Sequence, residues 1–363
     1  NSDELRPTGG FISGVGLLGI DRGDLNQLDF GDSYAIFNPE VDHPLAPPDL
    51  ERYMGAQMLL LRDVNWSADF PTVAGVAEAL YQLDTGTPVD GVVAFDVEAV
   101  RRMIGALEPL QLQGYQEAVT AANLTAAMQA VWEAPAAAES ALQDMDPSQS
   151  DWWEHRKDFM GDLAQAGQAK IEGGQADLVG LAQAVYSALQ EKHILISLND
   201  SAAMAPLAEL GWTGAVQPGD GDSLMVVDTN VGWNKVNSLV ERSTVYEITP
   251  RADGSAEAML ELTYRHQGTQ TDQPCVHEPR YGDTYADMAQ RCYFNYLRVF
   301  VPEGARLLAA EGVRPDTAST LPGENGTTIL TGYIELPPGQ TGQVRLRYEL
   351  PAGTVANDSY HLR

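Results

Sequence analysis

From residue 11 to about residue 198, short apolar runs alternate with segments of helical spacing. Phe11 to Ile20 is apolar and glycine-rich and ends at Asp21-Arg22-Gly23. That pattern predicts a buried strand and a hairpin return through Leu25 to Phe30. Leu50 to Leu61 has helical spacing, and Thr72 is placed to cap a helix through Val76, Leu80 and Leu83. Val89 to Phe95 reads as a short buried strand, and Val97 to Leu107 as a helix. This β-α-β-α rhythm predicts a layered α/β domain. Further helices are expected over 152–171 and 175–192, split by Gly173-Gly174, with strands at Ile194 to Leu198 and Leu224 to Val227.

Beyond about Val240 the period shortens to two. Val344, Leu346, Tyr348 and Leu350 alternate with Gln343, Arg345, Arg347 and Glu349; Leu260, Leu262 and Tyr264 alternate similarly. Tyr293 to Val301 is a third strong strand, and Ala252-Asp253-Gly254, Pro322-Gly323 and Pro338-Gly339 mark turns. The expectation is an α/β domain over residues 1–238, followed by an all-β, immunoglobulin-like sandwich over 239–363.

Composition adds a strong bias. Against 51 acidic residues stand 22 basic ones, for a net charge of -29, and only Lys157, Lys170, Lys192 and Lys235 are lysines. Such a surface repels nucleic acid and anionic lipid. No apolar run reaches the length of a membrane span. Cys275 and Cys292 bracket a polar loop; a disulfide closing it implies an oxidising compartment, and two unpaired thiols are the alternative.

Candidate chemistry gathers at arginines in irregular segments. Arg6 stands before Gly9-Gly10, where backbone approaches a ligand easily, and its planar fork suits phosphate. The bland alternative is an arginine pairing a carboxylate at a turn. In Arg62-Asp63-Val64-Asn65-Trp66-Ser67-Ala68-Asp69-Phe70-Pro71, Asp63 and Asp69 are candidate ligands for a magnesium ion, and Asn65 and Trp66 candidate walls of a site. The alternative places Trp66 in the core and Asp69 at a helix cap. Arg156, in an aromatic-rich helix start, is a candidate anion clamp, and Lys235 a second cation in a segment that otherwise reads as an ordered junction.

The segments Glu4 to Phe11, Arg62 to Pro71 and Val89 to Asp96, with Gly211 to Gly214, Asn230 to Lys235 and Tyr296 to Pro302, resemble a bacterial envelope family, domain of unknown function 4012. That family is distantly similar to the LytR-CpsA-Psr phosphotransferases, which transfer polyprenyl-pyrophosphate-linked glycopolymers. The resemblance implies an extracytoplasmic envelope protein with a LytR-CpsA-Psr-like α/β domain. Arg62 and Arg156 would clamp a lipid-linked pyrophosphate, with Asp63 or Asp69 holding magnesium. It also implies a strand and a membrane anchor before Asn1, so that an open sheet edge accepts a strand from another chain. The Arg-Ser-Asp-Thr strand start of the phosphotransferases has no counterpart; Arg6 to Gly10 occupies its place. A non-catalytic, filament-forming surface protein with a degenerate phosphotransferase-like domain is therefore the alternative function.

Overall fold

The computed structural model describes residues 3–112, 115, 117–132, 158–219, 221–279, 284–356 and 359–363. The chain starts with a miniature hairpin, β1 (Leu5–Arg6) against β2 (Gly9–Gly10). Next comes a longer hairpin, β3 (Gly14–Asp21) against β4 (Asp24–Asp32). Its turn has Arg22 and Gly23 at positive φ, the backbone that a two-residue hairpin turn demands. The sequence predicts a buried strand here, and the structure corrects that. Leu18 and Ile20 are 51% and 64% exposed, because the distal half of the hairpin projects past the helices that cover its base.

Helix α1 (Pro48–Met54) is stopped by Gly55 in the left-handed conformation, well short of the predicted Leu61. Helix α2 (Phe70–Thr85) begins at Asp69, whose side chain accepts from the Thr72 amide, so Asp69 and not Thr72 is the cap. Gly86 in the left-handed region ends it. Strand β5 (Gly91–Phe95) pairs antiparallel with β6 (Ile194–Leu198). Between them lie α3 (Val97–Leu107), α4 (Leu124–Trp132), α5 (Asp158–Glu172) and α6 (Leu178–Gln190), and after them α7 (Ser201–Glu209). Asp96, Asp177 and Asp200 cap α3, α6 and α7 as Asp69 caps α2, so part of the acidic excess is placed at helix N-termini.

One core joins α2 to both two-stranded ladders: Phe70, Val73, Ala74, Ala77 and Leu80 meet Val15 of β3 and Val92 and Ala94 of β5. β5 is not buried as predicted. Val93 and Phe95 point away from α2 and stay half-exposed. Phe95 and Phe30 of β4 lie with ring centroids 6.3 Å apart, yet β3–β4 and β5–β6 remain separate two-stranded ladders. The layered α/β part is thus present, with its strands split between two ladders.

The C-terminal part is a sandwich of two antiparallel sheets. One is ordered β12 (Ser319–Pro322), β13 (Thr327–Leu336), β10 (Tyr293–Pro302), β7 (Met225–Asn230). The other is ordered β11 (Arg306–Glu311), β14 (Thr341–Leu350), β9 (Ala256–His266), β8 (Val240–Pro250). Leu260, Leu262 and Tyr264 of β9 and Leu346, Tyr348 and Leu350 of β14 face Leu297, Val299 and Val301 of β10 and Leu330 of β13 in the interior. Met225–Asn230 precedes residue 239 in the chain but is hydrogen-bonded to β10 inside this sandwich.

Strand β10 is buried at every position, and its sequence is accordingly continuous rather than alternating. Its outer face is covered by the N-terminal part. Trp66 stacks on Tyr296 at 5.9 Å, and Tyr53 stacks on Tyr333 at 5.0 Å. Ala68 and Val216 meet Phe300 and Ile329. The central sheet is therefore the middle layer of three, and the two parts share a core. Cys275 and Cys292 form a disulfide that closes the loop before β10.

Candidate functional site

The β1–β2 hairpin brings charge into this junction. Arg6 is buried and donates from Nη1 to the Asn230 carbonyl, from Nη2 to Glu4 Oε1 at 3.1 Å, and lies over the Phe11 ring. Lys235 Nζ reaches Glu4 Oε2 at 3.0 Å. Glu4 is thus held between two cations, Arg6 two residues away and Lys235 at a separation of 231 residues. Burial opposes its ionisation, but Lys235 and Arg6 outweigh burial and hold its pKa below the ordinary value. The hairpin is tied further by Leu5 N donating to Asn237 Oδ1 at 3.1 Å, and by Asn65 Nδ2 donating to the Gly10 carbonyl at 2.9 Å. Gly9, at φ 121°, makes the turn that folds Gly10 back, a conformation that suits glycine.

Arg62 and Asp63 flank this cluster on a short 3-10 turn, Leu61–Asp63. Their side chains lie 3.6 Å apart, and the Arg62 guanidinium sits 4.5 Å over the Tyr34 ring. Asp63 has its pKa raised: burial drives it up, Arg6 and Arg62 pull it down, and Glu4 adds to the rise. Of the residues predicted from sequence, Arg6, Arg62, Asp63 and Lys235 therefore share one electrostatic neighbourhood, with Asn65 attached through Gly10. Arg156 lies outside the described residues.

Trp66 and Asp69 turn away from that neighbourhood. Trp66 packs on the sandwich, as the core alternative predicts. Asp69 Oδ2 accepts from Thr72 N at 3.1 Å and Thr72 Oγ1 at 2.7 Å, and Oδ1 from Val216 N at 2.9 Å and Asn325 Nδ2 at 3.0 Å. A carboxylate has about four lone-pair directions, and all are used. Among the described residues no group of three or more His, Cys, Asp or Glu side chains is arranged to hold a metal ion. This donor set does not suit magnesium at Asp69.

The second tether lies at the β12–β13 turn. Asn325, at positive φ, bonds both Asp69 and the Val216 carbonyl, while Glu324 Oε1 accepts from Ser67 Oγ at 2.6 Å and Ala68 N at 3.3 Å. Glu4 and Glu324 are residues that local sequence patterns do not single out, since Lys235 lies 231 positions from Glu4 and Ser67 257 positions from Glu324. Arg298 is the other; its one signal was a charge inside the otherwise apolar run Tyr296 to Val301.

Fold and junction together define a two-part protein: an α/β body tied to an antiparallel sandwich by buried polar tethers. Residues 1–131 match the model of the family described as Protein of unknown function (DUF4012). The match covers both arginine segments and the Val89 to Asp96 strand, and bears out the family resemblance read from them. No curated protein and no solved structure matches the chain. Among the described residues no helix is long and apolar enough to cross a membrane.

Proposed function

We propose that this is an extracytoplasmic cell-surface structural protein, in which a phosphotransferase-like body serves as scaffold for the sandwich. The observation that carries this reading is the use made of the motif residues. The Arg6 guanidinium is bonded to Glu4 and to the Asn230 carbonyl, and Asp69 is bonded to Val216 and Asn325. Two of the candidate ligand groups, Arg6 and Asp69, instead join the two parts. The disulfide suits an oxidising compartment. The second edge of β5, which among the described residues pairs only with β6, suits strand addition between copies.

With a net charge of -29, such assembly needs counterions. The test is light scattering and electron microscopy of the purified chain across a salt and divalent-cation series. Salt-promoted assembly that Val93→Lys blocks supports the reading. A monomer under every condition overturns it.

One observation favours a second reading, binding of a polyprenyl-pyrophosphate-linked glycan. Arg62 retains partial exposure and stacks on Tyr34, whose chain neighbours Ala35 and Ile36 line a groove of about 310 Å³ together with Val15, Leu17, Leu28, Asp29 and Asp32. Magnesium-dependent binding of a polyprenyl pyrophosphate that Arg62→Ala abolishes would establish it.

A further inference from the structure

The β12–β13 turn carries the one Asn-Gly dipeptide of the sequence, Asn325-Gly326. Both residues are exposed, and both sit at positive φ, 52° and 73°. Thr327 N donates to the Glu324 carbonyl and Gly323 N to the Thr327 carbonyl, which closes the turn. Among the described residues the Gly326 amide donates no hydrogen bond. A Cβ added at Gly326 would meet only Glu303 Oε2, at 3.5 Å, so the space beside this stretch of backbone is open. Asparagine is a thermolabile residue, because the next backbone nitrogen can attack its side-chain carbonyl carbon. Glycine, with no Cβ, obstructs that attack least.

The side chain at risk is a tether. Asn325 Nδ2, on the sandwich, donates to Asp69 Oδ1 at 3.0 Å and to the Val216 carbonyl at 2.9 Å, both in the α/β part. That nitrogen is the atom such chemistry expels. Asp69 is 5% exposed, and its other lone pairs are taken by Thr72 and the Val216 amide.

We propose that Asn325-Gly326 is a self-modification site, where deamidation by water unlatches the two parts irreversibly. The Gly326 nitrogen bonds to Asn325 Cγ and gives up its proton. The Cγ–Nδ2 bond breaks, and ammonia leaves a five-membered succinimide. Water then adds to one of the two imide carbonyls, and the Gly326 nitrogen regains its proton as the ring opens. Opening at Cγ gives aspartate; opening at the main-chain carbonyl gives isoaspartate, with Cβ and Cγ now in the main chain. One water is consumed and one ammonia released, with no change of oxidation state. Either product replaces a donor of two bonds by a carboxylate beside the Asp69 carboxylate and the Val216 carbonyl. Acceptor meets acceptor, and like charges repel. Isoaspartate also lengthens the turn that sets the β12–β13 register. The inference rests on the contacts of Asn325 and does not depend on the envelope reading.

The experiment holds the full chain for days in warm, mildly alkaline buffer and follows each asparagine by peptide mass spectrometry. Anion exchange isolates the species with one more negative charge. Asn325 is expected to be modified ahead of Asn199 and Asn237, and more slowly than in the guanidinium-unfolded chain, because its two tether bonds restrain the side chain. The isolated fraction should unfold at a lower urea midpoint than unmodified protein, and Asn325→Asp should reproduce that shift. If Asn325→Asp does not fold, the aged wild-type fraction carries the comparison by itself. Asn325 left intact in the folded protein after the unfolded chain has been converted, or a modified fraction with an unchanged midpoint, overturns the proposal.

Discussion

Replacing Asp69 tests whether its carboxylate is a structural tether. In Asp69→Ala, helix α2 loses its N-cap bond to Thr72, worth about 1 kcal/mol within a range of roughly 0.5–2. The Val216 amide loses its acceptor in a buried position, which costs about 1–3 kcal/mol. Asn325 keeps its second bond, to the Val216 carbonyl, and adds little. The sum is about 2–4 kcal/mol, at the high end for a single substitution. Asp69→Asn keeps a good cap but turns an amide toward donors, so about 1–2 kcal/mol is expected. Urea unfolding followed by tryptophan fluorescence reads this well, because Trp66 lies on the junction. A midpoint for Asp69→Ala within about 0.5 kcal/mol of wild type would show that the carboxylate holds nothing together.

Other expectations follow from the same contacts. The folded pKa of Glu4 lies below its ordinary value of 4.5, so the folded state takes up its proton less readily than the unfolded chain. Its stabilisation is complete above about pH 4.5 and is lost as pH falls through the lower folded value. Asp63, with a raised pKa, acts oppositely and is relieved of its cost on acidification. Glu4→Gln should cost about 3–5 kcal/mol near neutral pH by stranding Lys235 and Arg6, and should flatten the acid limb of a stability–pH curve. Reducing the Cys275–Cys292 bridge, with a sequence separation of 17, should cost about 3 kcal/mol in the same urea assay. Leu18→Ser, on the exposed part of the hairpin, should change stability by less than about 0.5 kcal/mol.

Features with local causes were legible in the sequence. The Asp21-Arg22-Gly23 turn, the helix Val97–Leu107 and the alternation of β9 and β14 follow from turn chemistry and periodicity. Burial was less legible, because it depends on what covers a strand. β3 and β5 carry strong apolar runs, yet each has an uncovered face or end, whereas β10 is covered on both sides. The candidate site shows the same division. The Arg62-Asp63 pair and the cap at Asp69 were visible as residue types in suitable segments. Which carboxylate Arg6 would meet was not, since Glu4 is held jointly by Arg6 and the distant Lys235. Arg298 became meaningful only when Trp66 and Glu324 were placed beside it.

The central proposal is that Arg6 and Asp69 join the two parts of a structural protein that does not transfer glycan. It is tested most directly by incubating the purified protein with magnesium, a polyprenyl-pyrophosphate-linked glycan and a peptidoglycan acceptor, and measuring product. The account predicts no transfer, with Arg62→Ala indistinguishable from wild type. Transfer that Arg62→Ala abolishes in a folded protein would contradict it.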